Sequence, residues 1–206
     1  MRGVEVQPWQ RYWTLYLGWI LASATGGAVV GALEAGSFQF LATLVLTGFV
    51  LGITQAFILR RRIQQSGLWV LACAIGWFVG INATILLNGI LDPTIAQLTA
   101  VGGIGEVFWL NVVQDLIILA VMGIGQWLVL RRQLSSSRWW ILASAIGGMI
   151  KGAVGSLVCA AACEAVQLAA GNQVATAMSY GAGWAGYGVV TGVVLVGLFS
   201  ASNVGD

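Results

Sequence analysis

Long apolar runs separated by short polar stretches organise this chain. Six runs stand out: Tyr12–Ala32, Phe38–Leu59, Leu68–Leu91, Val107–Leu130, Trp139–Cys163 and Val174–Phe199. Each has about 20 residues or more, enough for a helix to cross the ~30 Å hydrocarbon core of a bilayer. Backbone N–H and C=O groups find no water there, so a helix, which pairs them internally, is the conformation each run predicts. The expected fold class is all-α: a polytopic membrane protein with six transmembrane helices. The first run passes too directly into the second, without a convincing cleavage site, to be read as a removable signal peptide.

One connector carries its own pattern. Asp92-Pro93 opens a stretch that ends at Gly102-Gly103. Asp as N-cap, Pro in the first turn and Gly beyond the end predict a short separate helix over Pro93–Val101. It is expected to lie on the outer surface, with a re-entrant loop as the alternative.

The runs are also related to one another. Trp19-Ile20-Leu21-Ala22-Ser23-Ala24-Thr25-Gly26 reads like Trp69-Val70-Leu71-Ala72-Cys73-Ala74-Ile75-Gly76 and like Trp140-Ile141-Leu142-Ala143-Ser144-Ala145-Ile146-Gly147. The second helix carries Gly52-Ile53-Thr54-Gln55 and then Leu59-Arg60-Arg61, matched in the fourth by Gly123-Ile124-Gly125-Gln126 and Leu130-Arg131-Arg132. The sixth carries a reduced version around Gly188 to Thr191 and Leu195. Self-similarity of this kind marks a repeated structural unit. That unit is a helical hairpin, recurring over residues 12–59, 68–130 and 139–199 of one transmembrane domain, 1–206. Three hairpins inserted the same way predict a pseudo-threefold bundle about an axis along the membrane normal, unlike inverted repeats.

Composition changes the picture in two ways. Of 206 residues, 59% are hydrophobic and 8% charged, with a mean hydropathy of +0.90, which leaves no room for a separate soluble domain. There is no histidine, so the commonest general base and metal ligand is missing. Neither a zinc-protease motif, a histidine-containing triad, a phosphate-binding loop after a strand nor a second intramembrane aspartate is present. The chain is not expected to be an enzyme, and no cofactor is implied. A net charge of +2 gives no basis for nucleic-acid binding.

The charges orient the spans. Arg2 and Arg11 precede helix 1; Arg60, Arg61 and Arg62 follow helix 2; Arg131, Arg132 and Arg138 join helices 4 and 5. With six spans these fall on one side, and the opposite side holds Glu34, Asp92, Glu106 and Glu164. The positive-inside rule makes the chain N-in/C-in. Trp9, Trp13, Trp69, Trp127, Trp139 and Trp140 cluster near the basic side, where an interfacial aromatic belt is expected. Arg60, Arg61, Arg62, Arg131 and Arg132 are candidates for contact with anionic lipid headgroups or an acidic partner.

Small residues recur at four-residue spacing: Ser23, Gly27 and Gly31; Ala72, Gly76 and Gly80; Ser144, Gly148, Gly152 and Ser156. Lipid offers helices no hydrophobic drive to associate, so close packing across such stripes is their expected role. Cys73, Cys159 and Cys163 fall in apolar runs and read as small packing residues. Cys159 and Cys163 lie on one helical face, a geometry expected to disfavour a disulfide.

Charges at membrane depth are costly and point to function. Asp115 lies about 22 Å, and Lys151 about 18 Å, from the inner ends of helices 4 and 5, at 1.5 Å per residue. They predict an ion pair, either a structural one that fixes register or a binding or gating site. The equivalent repeat positions are Leu44 and Gly80, so the pair is an asymmetric addition to a symmetric frame. Asn111, Asp115, Met122 and Gln126 share one face of helix 4, and Tyr180, Trp184, Tyr187 and Thr191 one face of helix 6. Asp115, Lys151, Asn111, Gln126 and Tyr187 are the candidate substrate-binding or gating residues. Gln55, Gln126 and Thr191 hold matching positions and are expected to form a polar ring.

The segments Gln126-Trp127-Leu128-Val129-Leu130-Arg131-Arg132 and Trp139-Trp140-Ile141-Leu142-Ala143-Ser144-Ala145 resemble a group of multi-pass membrane proteins found mainly in cyanobacteria and related bacteria. That resemblance implies a plasma-membrane or thylakoid location and no particular activity. Six helices with Ala24, Ala28 and Ala32 at four-residue spacing on helix 1 are similar to the substrate-binding subunits of energy-coupling-factor vitamin transporters. The expected role is of transport type: a small-solute channel, a carrier or a membrane-embedded substrate-binding subunit. The alternative is a non-catalytic accessory or scaffolding subunit of a larger membrane complex. The expected partners are the lipid bilayer, anionic lipids among it, and a membrane-protein partner or a second copy in a homo-oligomer.

Overall fold

The computed structural model describes residues 8–36, 38–134 and 137–202. Arg2 lies outside them, as do the side chains of Trp9 and Arg11. Six helices are long and apolar enough to cross a membrane, and no strand occurs among the described residues. They are α1 (Pro8–Glu34), α2 (Gln39–Leu59), α3 (Ser66–Gly102), α4 (Glu106–Leu130), α5 (Trp139–Ala170) and α6 (Asn172–Ser202). Large apolar side chains point outward from every helix, among them Leu21, Ile53, Ile75, Leu128, Leu142 and Val193. In water such a surface would be unstable; facing acyl chains, it is the expected surface.

Each helix packs on the next in sequence, and α6 returns to pack on α1, so the six close into a ring. The small-residue stripes make the close approaches. A Cβ at Gly76 would strike the Met122 backbone at 2.6 Å, and one at Gly80 the Ile118 backbone at 2.8 Å, so α3 and α4 meet almost backbone to backbone. Gly148 and Gly152 do the same on α5, against the carbonyls of Asp115 and Asn111. Gly31 on α1 lies against Thr176 and Tyr180 of α6. The stripes therefore face neighbouring helices, where small side chains let backbones approach.

Two ends of the bundle are distinguishable. At one, Arg132 donates to Gln65 at 3.0 Å and Arg62 stands over the Phe199 ring, which gathers the α2–α3 and α4–α5 connectors with the end of α6. At the other, Gly36 lies beside Gln173, which brings the α1–α2 and α5–α6 connectors together. The first is called the arginine end below, the second the carboxylate end.

The bundle is filled by aromatic side chains. Near the arginine end Trp19, Trp69 and Trp140 meet edge to face, with ring centroids 5.6–5.9 Å apart. Trp69 and Trp140 are fully buried, which corrects the expectation that they belong to an interfacial belt. Proximity to the basic end in sequence does not decide which way a side chain points. Trp13 and Trp139 are 55% and 56% exposed and do face outward. Further in, Trp77 and Trp184 pack across the interior with centroids 5.9 Å apart.

α3 also departs from expectation. It runs unbroken from Ser66 to Gly102, with Pro93 inside it, so the separate helix over Pro93–Val101 is not formed. The register set by Gly76 against Met122 and Gly80 against Ile118 would, if continued straight, place Gly89 beside Trp109. Trp109 instead lies against Gly102, about 20 Å further along α3 at 1.5 Å per residue. The last turns of α3 therefore bend back toward α4. Pro93, with no N–H for the helical ladder, falls in that stretch, and prolines are where helices bend. Leu91 and Ile95 are buried beside it, which holds the segment helical through the proline.

α2 carries a π-helical turn over Ala42–Leu46. Such a turn loosens the regular ladder. Here the Thr43 carbonyl accepts the Trp77 indole N–H at 2.7 Å, while the Thr43 hydroxyl donates to Glu34 at 2.6 Å.

The cysteines need a correction too. Cys159 and Cys163 form a disulfide, with Cα atoms 4.5 Å apart, inside the range a bridge spans. A shared helical face did not exclude the bond. Cys73 is free and buried, as read from its apolar run.

Candidate functional site

The site is built where α4 and α5 come closest. Gly148 and Gly152 admit the backbone of α4 at Asp115 and Asn111, and the side chains flanking that seam meet across it. The Lys151 ammonium donates to both Asp115 carboxylate oxygens, at 2.8 and 2.7 Å. One turn toward the carboxylate end, the Asn111 amide donates to the Ser156 hydroxyl at 2.9 Å. Asn111 keeps its side-chain carbonyl as an acceptor, and Ser156 its O–H as a donor.

Aromatic rings surround the ammonium. Lys151 Nζ lies 5.3 Å from the Trp184 ring, 5.7 Å from Tyr180 and 6.0 Å from Trp77. These are cation–π distances, and ring faces stabilise a charge that has lost its water. The Asp115 and Lys151 side chains are about nine-tenths buried, with relative exposures of 10% and 12%. Glu34, at the end of α1, lies within electrostatic range of both Tyr180 and Asp115.

A cavity of about 570 Å³ opens over this pair. Asn111, Asp115, Lys151, Ser156, Ser179 and Tyr180 contribute its polar lining, and Phe108, Val107 and Leu157 part of its apolar lining. Its walls come from α4, α5 and α6, together with the Ile104-Gly105 turn before α4, which puts it toward the carboxylate end. Cys159 of the disulfide also reaches it. Pockets of a few hundred Å³ with a few convergent polar groups are the usual form of small-molecule sites.

The sequence candidates divide between two places. Asp115, Lys151 and Asn111 meet at the cavity. Gln126 and Tyr187 do not line it; both are fully buried nearer the arginine end. There Gln126 accepts the Trp140 indole N–H at 2.8 Å and the Tyr187 hydroxyl at 3.4 Å, and gives its amide to Cys73 Sγ at 3.1 Å. Gln55 accepts from Trp69 at 3.2 Å, and Thr191 from Trp19 at 2.9 Å. The expected polar ring is thus a set of acceptors for the three central indoles. Each satisfies a buried donor, and their polar atoms are spent within the packed interior.

The arginines divide as well. Arg60 lies over Phe57 at 3.9 Å and Arg131 over Trp127 at 4.9 Å, stacked along the surface; Arg61 is exposed. Trp77, Tyr180, Trp184 and Glu34 belong to the site but were not singled out for it. A signal existed for Tyr180: if Thr191 matches Gln126, Tyr180 matches Asp115.

No groups of histidine, cysteine, aspartate or glutamate that could hold a metal ion occur among the described residues. No protein-family model, curated protein or solved structure matches the chain.

Proposed function

We propose that this multi-pass membrane protein captures a small solute at the Asp115–Lys151 cavity, as a membrane-embedded binding subunit or the binding half of a carrier. The observation that carries this reading is the desolvated ion pair, ringed by three aromatic side chains, on the lining of an open cavity of about 570 Å³. Intramembrane charges are rare because they are costly, and where they face a cavity they mark solute sites. A pair serving register alone has no need of an open chamber above it. The interior between this chamber and the arginine end is filled by Trp184, Trp77 and the three-indole cluster. That favours capture from one face over an open channel. The small-residue stripes are occupied by intramolecular packing, which leaves the arginine connectors, and not the stripes, as a surface through which an accessory subunit would dock.

Within this reading the chain is three hairpins about a pseudo-threefold axis, N-in and C-in. Trp19, Trp69 and Trp140 are the corresponding residues of the three units, and Thr191, Gln55 and Gln126 their acceptors. The arginine end then faces the cytoplasm and the cavity opens away from it. The chain binds its ligand and does not transform it.

The test is purification in mild detergent with mass spectrometry of everything retained. A small molecule that co-purifies with the protein and is released by Asp115→Asn or Lys151→Ala supports capture. Stoichiometric recovery with a larger membrane complex, insensitive to both substitutions, overturns it in favour of the accessory-subunit reading.

A further inference from the structure

Resting on that reading, the site's charge balance narrows the ligand. We propose that the cavity takes a zwitterion: a molecule with an ammonium group and an acid group a few atoms apart, inserted between or alongside Asp115 and Lys151.

Asp115 and Lys151 neutralise each other across 2.7–2.8 Å in a place about nine-tenths removed from solvent. Glu34, at the end of α1, accepts from the Thr43 hydroxyl and lies within electrostatic range of Asp115 and Tyr180. It adds a second carboxylate beside the pair, so a ligand's acid group is tolerated here only if the ligand brings an ammonium with it. A ligand reaching this floor must exchange some of that pairing for its own. An anion that draws Lys151 to itself leaves the Asp115 carboxylate buried without its cation. A cation that draws off Asp115 leaves the ammonium in the same position. Breaking a buried pair from one side is strongly unfavourable because it strands the other charge. A zwitterion avoids both outcomes, since its acid group meets Lys151 while its ammonium meets Asp115.

The rest of the lining fits such a ligand. Tyr180 is on the cavity wall and its ring already lies 5.7 Å from one ammonium, so a second cation beside it meets a π face. The Asn111 carbonyl, one turn from Asp115, is an acceptor for ligand N–H. The Ser156 hydroxyl, which accepts from Asn111, is a donor for a carboxylate or phosphate oxygen. Val107, Phe108 and Leu157 offer apolar contact to whatever the charged groups carry. Two sources supply this chemistry: free amino-acid-like solutes, and lipid headgroups of the phosphoethanolamine type.

The experiment uses the full-length protein in nanodiscs made only of phosphatidylglycerol, read by native mass spectrometry. Three pools are added separately: the proteinogenic amino acids with glycine betaine, the corresponding amines lacking the acid group, and the corresponding acids lacking the amine. A parallel preparation carries phosphatidylethanolamine. Retention of a zwitterion from the first pool, with its amine and acid counterparts about a hundredfold weaker, supports a free solute. Retention of phosphatidylethanolamine over phosphatidylglycerol, with no amino acid bound, supports the headgroup. The double variant Asp115→Asn/Lys151→Met strands no charge, so it is expected to fold and to lose either ligand. Zwitterion binding that survives the double variant, or an amine or acid held as tightly as its zwitterion, overturns the inference while leaving capture standing. Failure of every pool and of the lipid overturns it as well; whether capture falls with it is decided by the co-purification experiment.

Discussion

Trp140 donates its indole N–H to Gln126 at 2.8 Å, and the two residues are separated by 14 positions that include the whole α4–α5 connector. Trp69 and Gln55 make the same bond with the same separation across the α2–α3 connector. Both donors are fully buried, so the bond removes a cost that would otherwise oppose insertion of a tryptophan at this depth. Trp184 offers an internal control. It is also fully buried, but its indole N–H has no hydrogen-bond partner among the described residues. Trp140→Phe is therefore expected to lower stability by about 0.5–1.5 kcal/mol more than Trp184→Phe, because it also removes a made hydrogen bond and leaves the Gln126 carbonyl only the longer bond from Tyr187. Thermal unfolding of both variants in one detergent measures the difference. Equal losses would mean that ring volume alone matters at the indole cluster.

How much of this was legible in the sequence depends on the kind of signal. Hydropathy located all six spans because lipid imposes one length and one polarity on every crossing segment. Repetition identified Trp69 with Trp140 and Gln55 with Gln126, but not that each pair bonds. Orientation about the helix axis was lost for those tryptophans, since a repeat says that positions match and not which way they face. Asp115 and Lys151 were legible because charge is conspicuous in an apolar run. Their surroundings were not: Trp77, Tyr180 and Trp184 look like ordinary bulk until α3 and α6 bring their faces around one ammonium. The bend in α3 was hidden for a related reason. Asp92-Pro93 does mark a local irregularity, but burial of Leu91 and Ile95 carries the helix through it.

The ion pair should show strong non-additivity. Asp115→Asn leaves a buried ammonium without its counter-charge, and Lys151→Met leaves a buried carboxylate. Each is expected to destabilise by about 3–5 kcal/mol. The double variant strands neither charge and should recover most of that loss, because a buried pair contributes little beyond what matched neutral groups provide. Melting temperatures of the four proteins in detergent close this cycle. Losses that simply add would show that the two side chains act independently and that the 2.7 Å contact is not energetically coupled.

The α4–α5 seam makes a prediction that links packing to the site. A Cβ at Gly152 would collide with the carbonyl of Asn111, whereas Gly67 has open space around it. Gly152→Ala should therefore cost about 1–3 kcal/mol through overpacking and force α5 away from α4, while Gly67→Ala should not. Because Lys151 and Ser156 ride on α5 and their partners on α4, ligand retention should fall in Gly152→Ala and persist in Gly67→Ala. Retention unchanged in Gly152→Ala would detach the site from the close helix approach.

Topology is testable through the cysteines. Cys159, which is exposed and reaches the cavity, and Cys163 are disulfide-bonded toward the carboxylate end, while Cys73 is buried among the indoles and glutamines. If the arginine end faces the cytoplasm, a membrane-impermeant maleimide added outside intact cells should label nothing before reduction. After mild reduction with an impermeant phosphine it should label Cys159. Cys73 should stay unlabelled in both cases, since a fully buried thiol is closed to a bulky reagent. The double variant Cys159→Ser/Cys163→Ser, which leaves no free partner thiol, should remove that label, and the same reagents applied to inverted vesicles should give none. Labelling of Cys159 only in inverted vesicles would reverse the orientation and place the cavity on the cytoplasmic side, where the solute it captures would have to be supplied from within the cell.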